Sequence, residues 1–404
     1  MESARLIAGL ARITRDVGTA EDLAQDALVA ALERWPESGV PDNPGAWLMA
    51  TAKHRSIDLM RRNAMLERKH DQLGYELEAQ QERAVPDLDA QLDDHVGDDL
   101  LRLIFTTCHP VLSTDARVAL ALRLLGGLTT DEIARAFLVP EPTMAQRIVR
   151  AKRTLSDSRV AFEVPRGDEF RSRLASVLQV VYLVFNEGYA ATAGDDWLRP
   201  TLCEEAMRLG RVIAGLMPDE AEVHGLVALM EIQASRADAR VGPSGEPILL
   251  LEQDRARWNQ LLIRRGLAAL DRADGLAERR GAYTLQAAIA ACHARARTAA
   301  DTDWSRIATL YGELATRAPS PIVELNRAVA VSMAFGPAAG LALADKLLDE
   351  AALKGYHLLP AVRGDLLAKL GRTSEARAEL QRAAGMTRNE RERGVLLARV
   401  AGLS

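Results

Sequence analysis

Apolar residues recur along this chain at three- and four-residue intervals almost from end to end, and strict alternation is absent, so the pattern predicts helices throughout. Leu6, Ile7, Leu10 and Ile13 form one apolar face. Gly18-Thr19 interrupts it, and Thr19 with Asp22 marks a new helix start, running from about Glu21 to Arg34. In that helix Ala24, Ala27, Leu28, Ala31 and Leu32 are expected to face a core, with Asp22, Asp26 and Glu33 on the opposite stripe. Pro36, Gly39, Pro41, Pro44 and Gly45 make a stiff loop before a further helix from about Ala46 to Arg68. Residues 1–69 therefore read as one helical domain.

Residues 70–99 change character. Ten acidic residues, from Asp71 to Asp99, face a single basic one, Arg83, and Pro86 breaks the run. An acidic linker, partly helical or disordered, is expected. Helical patterning resumes over 100–160 and again from about 165 to 404, where Pro218-Asp219-Glu220 and Gly242-Pro243-Ser244-Gly245 are the clearest breaks. Ala334-Phe335-Gly336 followed by Ala338-Ala339 recurs about 35 residues later as Lys369-Leu370-Gly371 followed by Thr373-Ser374-Glu375-Ala376. That period predicts tetratricopeptide-like helical repeats, with an irregular helical bundle as the alternative.

Composition agrees with helices. Aromatics are 4% of the 404 residues, while Ala, Leu and Arg, which lose little freedom in a helix, dominate. A net charge of −5 argues against indiscriminate coating of DNA but leaves a local basic face open. Cys108, Cys203 and Cys292 have no metal-ligand spacing and an odd count, so they read as small core residues in a reducing compartment. No leader pattern or membrane-length apolar run is present, so a cytoplasmic location without membrane contact is expected.

The sharpest local signal lies in 128–153. Thr129 and Glu132 form a capping box, and Ile133, Ala134 and Phe137 supply a buried face. After a tight turn, Pro142 suits the first turn of a second helix. That helix carries Thr143, Gln146, Arg147 and Arg150, then Lys152 and Arg153. A short helix, a turn and a polar, basic second helix form the helix-turn-helix design, whose Arg and Gln side chains reach base edges and phosphates. The alternative is a solvated charged helix in a bundle. In the helix from Ala46, Lys53, Arg55, Arg61, Arg62, Arg68 and Lys69 outnumber Asp58 and Glu67, with His54 and Trp47 interleaved, which suits strand-separated nucleic acid. Asn186, Glu187 and Tyr189, and the run Glu252-Gln253-Asp254-Arg255 with Trp258, could line pockets. Helix caps and interhelix hydrogen bonds explain them more simply. No nucleophile or metal cluster stands at a telling spacing, so neither enzyme activity nor a cofactor is expected.

Together these segments resemble the extracytoplasmic-function sigma factors. Ala20-Glu21-Asp22-Leu23-Ala24-Gln25-Asp26-Ala27-Leu28 is similar to the region 2 helix that docks on the clamp helices of RNA polymerase. Ala46-Trp47-Leu48, Ala52, Ile57-Asp58 and Arg61-Arg62 are similar to the adjoining segment that melts and reads the −10 element. The helix-turn-helix resembles region 4, which reads the −35 element. The resemblance implies core-polymerase docking through Asp22, Asp26 and Glu33, and −10 contacts from Asp42, Asn43, His54, Arg55, Arg61 and Arg62. It implies −35 contacts from Thr143, Gln146, Arg147, Arg150, Lys152 and Arg153. His54 stands where many members have Asn, and Pro142 and Ala145 replace the common Gly and Lys, so the −35 sequence does not transfer from relatives.

The loop 39–45 and the runs Phe105-Thr106-Thr107-Cys108-His109-Pro110, Phe185-Asn186-Glu187-Gly188-Tyr189 and Ser320-Pro321-Ile322-Val323-Glu324-Leu325-Asn326-Arg327-Ala328-Val329 resemble a subgroup with a tetratricopeptide-like C-terminal extension. The expected architecture is all-α: region 2 over 1–69, the linker over 70–99, region 4 over 100–160 and the extension over 165–404. The expected partners are core RNA polymerase and promoter DNA. The extension is expected to contact the sigma domains and regulate them in cis. The alternative is an interaction scaffold with a vestigial helix-turn-helix.

Overall fold

In the computed structural model, residues 2–56, 92–137, 139–189, 200–242, 248–387 and 390–403 are described, and no strand occurs among them. The chain divides into two compact units, Met1–Val181 and Tyr182–Ser404.

The first unit holds α1 (Glu2–Thr14), α2 (Val17–Ser38), α3 (residues 44–56), α4 (Leu92–Thr107), α5 (Thr114–Leu124), α6 (Thr130–Ala136) and α7 (Glu141–Asp157). It also holds the first part of α8 (Gly167–Tyr189). Leu6, Ile7 and Leu10 are buried as their spacing predicts. α2 begins four residues before its expected start, because the Asp16 side chain accepts from the backbone N–H of Thr19 at 2.7 Å and Arg15 turns the chain at φ +56°. Gly18 and Thr19 are therefore inside the helix, which continues through Pro36 to Ser38. Ala24, Ala27 and Ala31 are buried, Leu28 is half-buried, and Leu32 is 76% exposed, so the core face is narrower than its apolar residues imply.

α4 begins at Leu92, within the acidic stretch, while the rest of that stretch lies outside the described residues. Its C-terminal half packs on α8: Arg173 donates to the Phe105 carbonyl at 2.8 Å and Ser176 donates to the Cys108 carbonyl at 2.6 Å. Arg117 of α5 also donates to Ser176. Burial pushes the Cys108 thiol up to about 12, so it stays a neutral core group. The start of α8 thus completes the first unit.

The second unit contains the end of α8, then α9 (Pro200–Leu216), α10 (Ala221–Ala234), α11 (Gln260–Leu276), α12 (Ala282–Arg295) and α13 (Trp304–Arg317). It ends with α14 (Pro321–Phe335), α15 (Pro337–Asp345), α16 (Leu358–Lys369), α17 (Thr373–Met386) and α18 (Glu390–Ala401). α10 is buried nearly all round, and Ala228, Leu229 and Ile232 join Leu270, Leu285, Ile289, Ile307 and Leu310 in the main core. Its Gly225 lets α12 approach so closely that a Cβ would meet the Thr284 backbone N at 2.7 Å. Glu222 caps α12 by accepting from the N–H groups of Tyr283 and Thr284 at 2.9 and 3.0 Å. Toward the C-terminus each helix packs mainly on its sequence neighbours, as stacked hairpins do. Gly336 (φ +97°) and Gly371 (φ +74°) turn the α14–α15 and α16–α17 hairpins at the expected period.

Candidate nucleic-acid interface

α6 and α7 form the helix-turn-helix from local signals alone. The capping box closes as expected: Thr129 N–H donates to Glu132 Oε2 at 2.7 Å, and Glu132 N–H donates to Thr129 Oγ1 at 3.2 Å. Ile133 and Ala134 are buried, and Phe137 is half-buried. Pro142 sits in the first turn of α7. Met144, Ile148, Ala151 and Leu155 bury the inner stripe of α7, against α5 and α6. That stripe leaves Thr143, Gln146, Arg150 and Arg153 exposed on the outer face, with Arg147 half-exposed beside them. Arg147 lies 3.7 Å from Asp115 and Arg153 lies 3.3 Å from Asp157. Both carboxylates are well exposed, so these are loose surface pairs.

Lys152 departs from the expected set. Two residues beyond Arg150 it sits about 200° further round the helix, off the outer face, and it points at α2. There its Nζ lies 2.5 Å from Glu21 Oε2 and 4.0 Å from Asp22 Oδ1. Glu21 is 3% exposed, and its other oxygen accepts from Arg123 Nε of α5 at 2.7 Å and from Gln25 at 3.0 Å. Periodicity alone passes over Glu21. The one signal it gives is an acidic residue on the same stripe as Ala20, Ala24 and Ala27, and its partners are remote in sequence.

On α2, Asp22, Asp26 and Glu33 are all exposed and share the face with Val29 and Leu32, which are 52% and 76% exposed. An acidic face with exposed apolar residues suits a protein partner carrying both basic and apolar groups. Asp26 also meets Arg55 of α3 at 3.3 Å. Asn43 starts α3, its side chain accepting from the Ala46 N–H at 3.0 Å. Asp42, Asn43, His54 and Arg55 are exposed. Leu48 and Ala52 are buried, and Trp47 packs edge-on against Trp35, ring centres 5.4 Å apart. The structure thus brings Asp42 and Asn43 to one end of α3, and His54 and Arg55 toward the other. Arg61 and Arg62 lie outside the described residues.

Several polar residues of the second unit cap or join helices. Asp254 caps a short 3-10 turn by accepting from the Ala256 N–H at 2.9 Å. Arg255 donates to the carbonyls of His293 and Ala296 at the end of α12. Arg236 donates to the Tyr189 hydroxyl at 2.6 Å, and Arg240 stacks on the Tyr189 ring. His293, buried beside Arg236 and Arg255, is pushed down to about 4, burial being the main cause and the two guanidiniums adding to it. Among the described residues no cluster fit to hold a metal ion occurs, and no helix is long and apolar enough to cross a membrane.

Comparison with known proteins assigns families to three stretches of the chain. Residues 2–65 match sigma-70 region 2, residues 102–155 match sigma-70 region 4, and residues 173–274 match a family of unknown function, DUF6596. An uncharacterized protein of Rhizobium meliloti (strain 1021), R00370, is 42% identical over 95% of this chain and 89% of its own length. No solved structure matches.

Proposed function

The chain belongs to the sigma-70-type factors, of the extracytoplasmic-function-like kind with a C-terminal extension, and on that premise we propose how its surfaces divide the work of initiation. Regions 2 and 4 give it a sigma-factor role in transcription initiation, which implies binding to core RNA polymerase and promoter DNA. The observation that carries the finer reading is the outer face of α7, where Thr143, Gln146, Arg147, Arg150 and Arg153 stand clear of the core stripe. This face reads the −35 element, with Gln146, Arg147 and Arg150 toward base edges and Arg153 toward phosphate. Asp42, Asn43, His54 and Arg55, with Arg61 and Arg62 further along, contact the −10 element. The α2 face of Asp22, Asp26 and Glu33, with Val29 and Leu32 between them, docks on core polymerase. Sigma factors are not enzymes, and the protein works in the cytoplasm with the polymerase.

The extension, read as tetratricopeptide-like hairpins, regulates these surfaces in cis. α8 supports this reading, because one helix begins in the first unit and ends in the second. Run-off transcription with reconstituted polymerase over genomic promoters tests the assignment, since a scaffold with a vestigial helix-turn-helix would start no transcript. The regulatory part is tested by truncation after Tyr189, which keeps the Arg173 and Ser176 contacts of the first unit. Raised activity would indicate masking by the extension and lost activity would indicate support. Activity and core affinity equal to full length would refute regulation in cis.

A further inference from the structure

We propose that Arg236, Arg255, Trp258 and His293 form a binding site for a phosphate group, carried by a small phosphorylated molecule or present as inorganic phosphate. The inference goes beyond the sigma-factor reading and does not depend on it. The run from Glu252 to Arg255 with Trp258, and Tyr189, are polar segments that the sequence offers as pocket linings. The fold brings them together in the second unit. Arg236 follows α10, Arg255 and Trp258 belong to the 3-10 turn before α11, and His293 sits in the last turn of α12. Both guanidiniums rest on the Trp258 ring, their carbons 5.8 and 4.8 Å from its centre. Arg236 also lies over the Tyr189 ring, and Arg240 stacks on that same ring.

Cations meet here without a carboxylate. Among the described residues neither Arg236 nor Arg255 has an ion-pair partner, and Asp301 acts on Arg255 only from further off. Elsewhere in the unit arginines pair with acids: Arg211 with Glu231 at 2.9 Å, Arg280 with Asp274 at 2.6 Å and Arg363 with Glu379 at 2.6 Å. Arg236 donates to the Tyr189 hydroxyl at 2.6 Å, which engages one of the five N–H groups that a guanidinium carries. It is half-buried, so a ligand can reach the others. Arg255 is fixed in place by the carbonyls of His293 and Ala296 and by Thr302 Oγ1 at 3.1 Å. Trp258 is 3% exposed and its indole N–H has no acceptor among the described residues; His293 is 9% exposed and its Nδ1 has no partner there. Burial and the two guanidiniums keep His293 neutral, so it can offer a hydrogen bond and not a charge. A buried donor without an acceptor is costly, and two such groups beside two unpaired cations call for one missing partner. A phosphate group supplies it. Its oxygens accept several N–H bonds at once, guanidiniums match it bidentately, and its charge offsets the repulsion between Arg236 and Arg255. A monocarboxylate brings fewer oxygens and a single charge to the same donors.

Isothermal titration of the full-length chain tests the site without polymerase. The probes are inorganic phosphate, glycerol phosphate and malonate, each against chloride at equal ionic strength. Saturable binding of a phosphate compound is the expected result. Arg236→Gln should weaken it about 10- to 100-fold, as loss of a charge-assisted contact does, and Trp258→Phe, which keeps a ring, about 2- to 10-fold. Arg382→Gln removes a surface cation 4.0 Å from Glu379 and should leave affinity unchanged. Each variant is also melted with and without phosphate, and the shift is read against its own anion-free melt, so altered basal stability does not count as lost binding. Tighter binding of glycerol phosphate than of inorganic phosphate would identify an organic phosphate as the ligand, and the reverse would identify the free anion; either supports the site. No saturable binding of either, equal affinity in Arg236→Gln and wild type, or malonate binding tighter than both phosphates would overturn it.

Discussion

Replacing Arg147 with Ala separates base reading from mere positioning. The side chain leans on Asp115 at 3.7 Å, a carboxylate 73% exposed. An ion pair of that exposure is worth at most about 1 kcal/mol, so DNA can draw the guanidinium away cheaply. A bidentate arginine–guanine contact discriminates by about 1–3 kcal/mol, or roughly 5- to 150-fold. Subtracting the lost surface pair, Arg147→Ala should cost about 1–2 kcal/mol on the preferred −35 sequence and little on variants changed at the contacted position. Asp115→Asn should move the other way, raising −35 affinity by up to about fivefold as the competing pair disappears. The assay is run-off transcription from a promoter library randomised over the −35 element, with transcripts sequenced. Relaxed preference at one position is the expected outcome. An unchanged sequence preference at lower activity would show that Arg147 touches only phosphate, and a salt dependence shallower by about one unit would accompany it. No change in either quantity would mean that the outer face of α7 does not read DNA.

Reversing both Asp22 and Asp26 to Lys should weaken core-polymerase binding by a few kcal/mol, as read in a titration of labelled factor, and unchanged affinity would remove α2 from the docking surface. In the second unit, Gly225→Ala should destabilise by about 1–3 kcal/mol in urea titrations, because the new Cβ meets backbone atoms of Thr284. Gly275→Ala in α11, with nothing within 4 Å, should instead stabilise by up to about 1 kcal/mol, and equal effects at the two sites would refute the close approach of α10 and α12. His293 is held down at about 4 in the folded state against 6.5 ordinarily, so the unfolded chain binds the extra proton first. Stability should therefore be full above about pH 6.5 and fall by up to about 3 kcal/mol as pH drops toward 4. Thermal melts of wild type and His293→Gln across that window check it, since the variant's profile should be flatter.

How much of the molecule is legible in its sequence depends on the range of the interactions responsible. The capping box at Thr129–Glu132, the proline in the first turn of α7 and the Met144–Ile148–Ala151–Leu155 stripe all act within one or two helical turns. The outer face of α7 is therefore legible in the linear pattern, and so are the positive-φ glycines that punctuate the last hairpins. The start of α2 is misplaced for a local reason: Gly18-Thr19 looks like a break, but the Asp16 side chain begins the helix earlier. Leu32 falls to the core by spacing, because apolar periodicity cannot tell a buried stripe from an exposed apolar residue beside it. Lys152 groups with the outer-face residues of α7 by proximity in sequence, although Glu21, more than a hundred positions away, holds it elsewhere. The same limit hides the start of α8, which the linear pattern gives to the extension but which Phe105 and Cys108 bind through their carbonyls.

The ion pairs around Glu21 predict two unequal results. Desolvation offsets much of the attraction in a buried pair, so Glu21 with Arg123 and Lys152 adds little net free energy over a packed apolar cluster of the same size. Removing one member alone is another matter, since it strands buried charge and costs about 3–5 kcal/mol. Glu21→Gln should therefore destabilise the first unit in urea titrations more than simultaneous replacement of Glu21, Arg123 and Lys152 by apolar residues of similar size. If the triple variant were the less stable of the two, the pairs would contribute net free energy, and desolvation would not be the effect that decides.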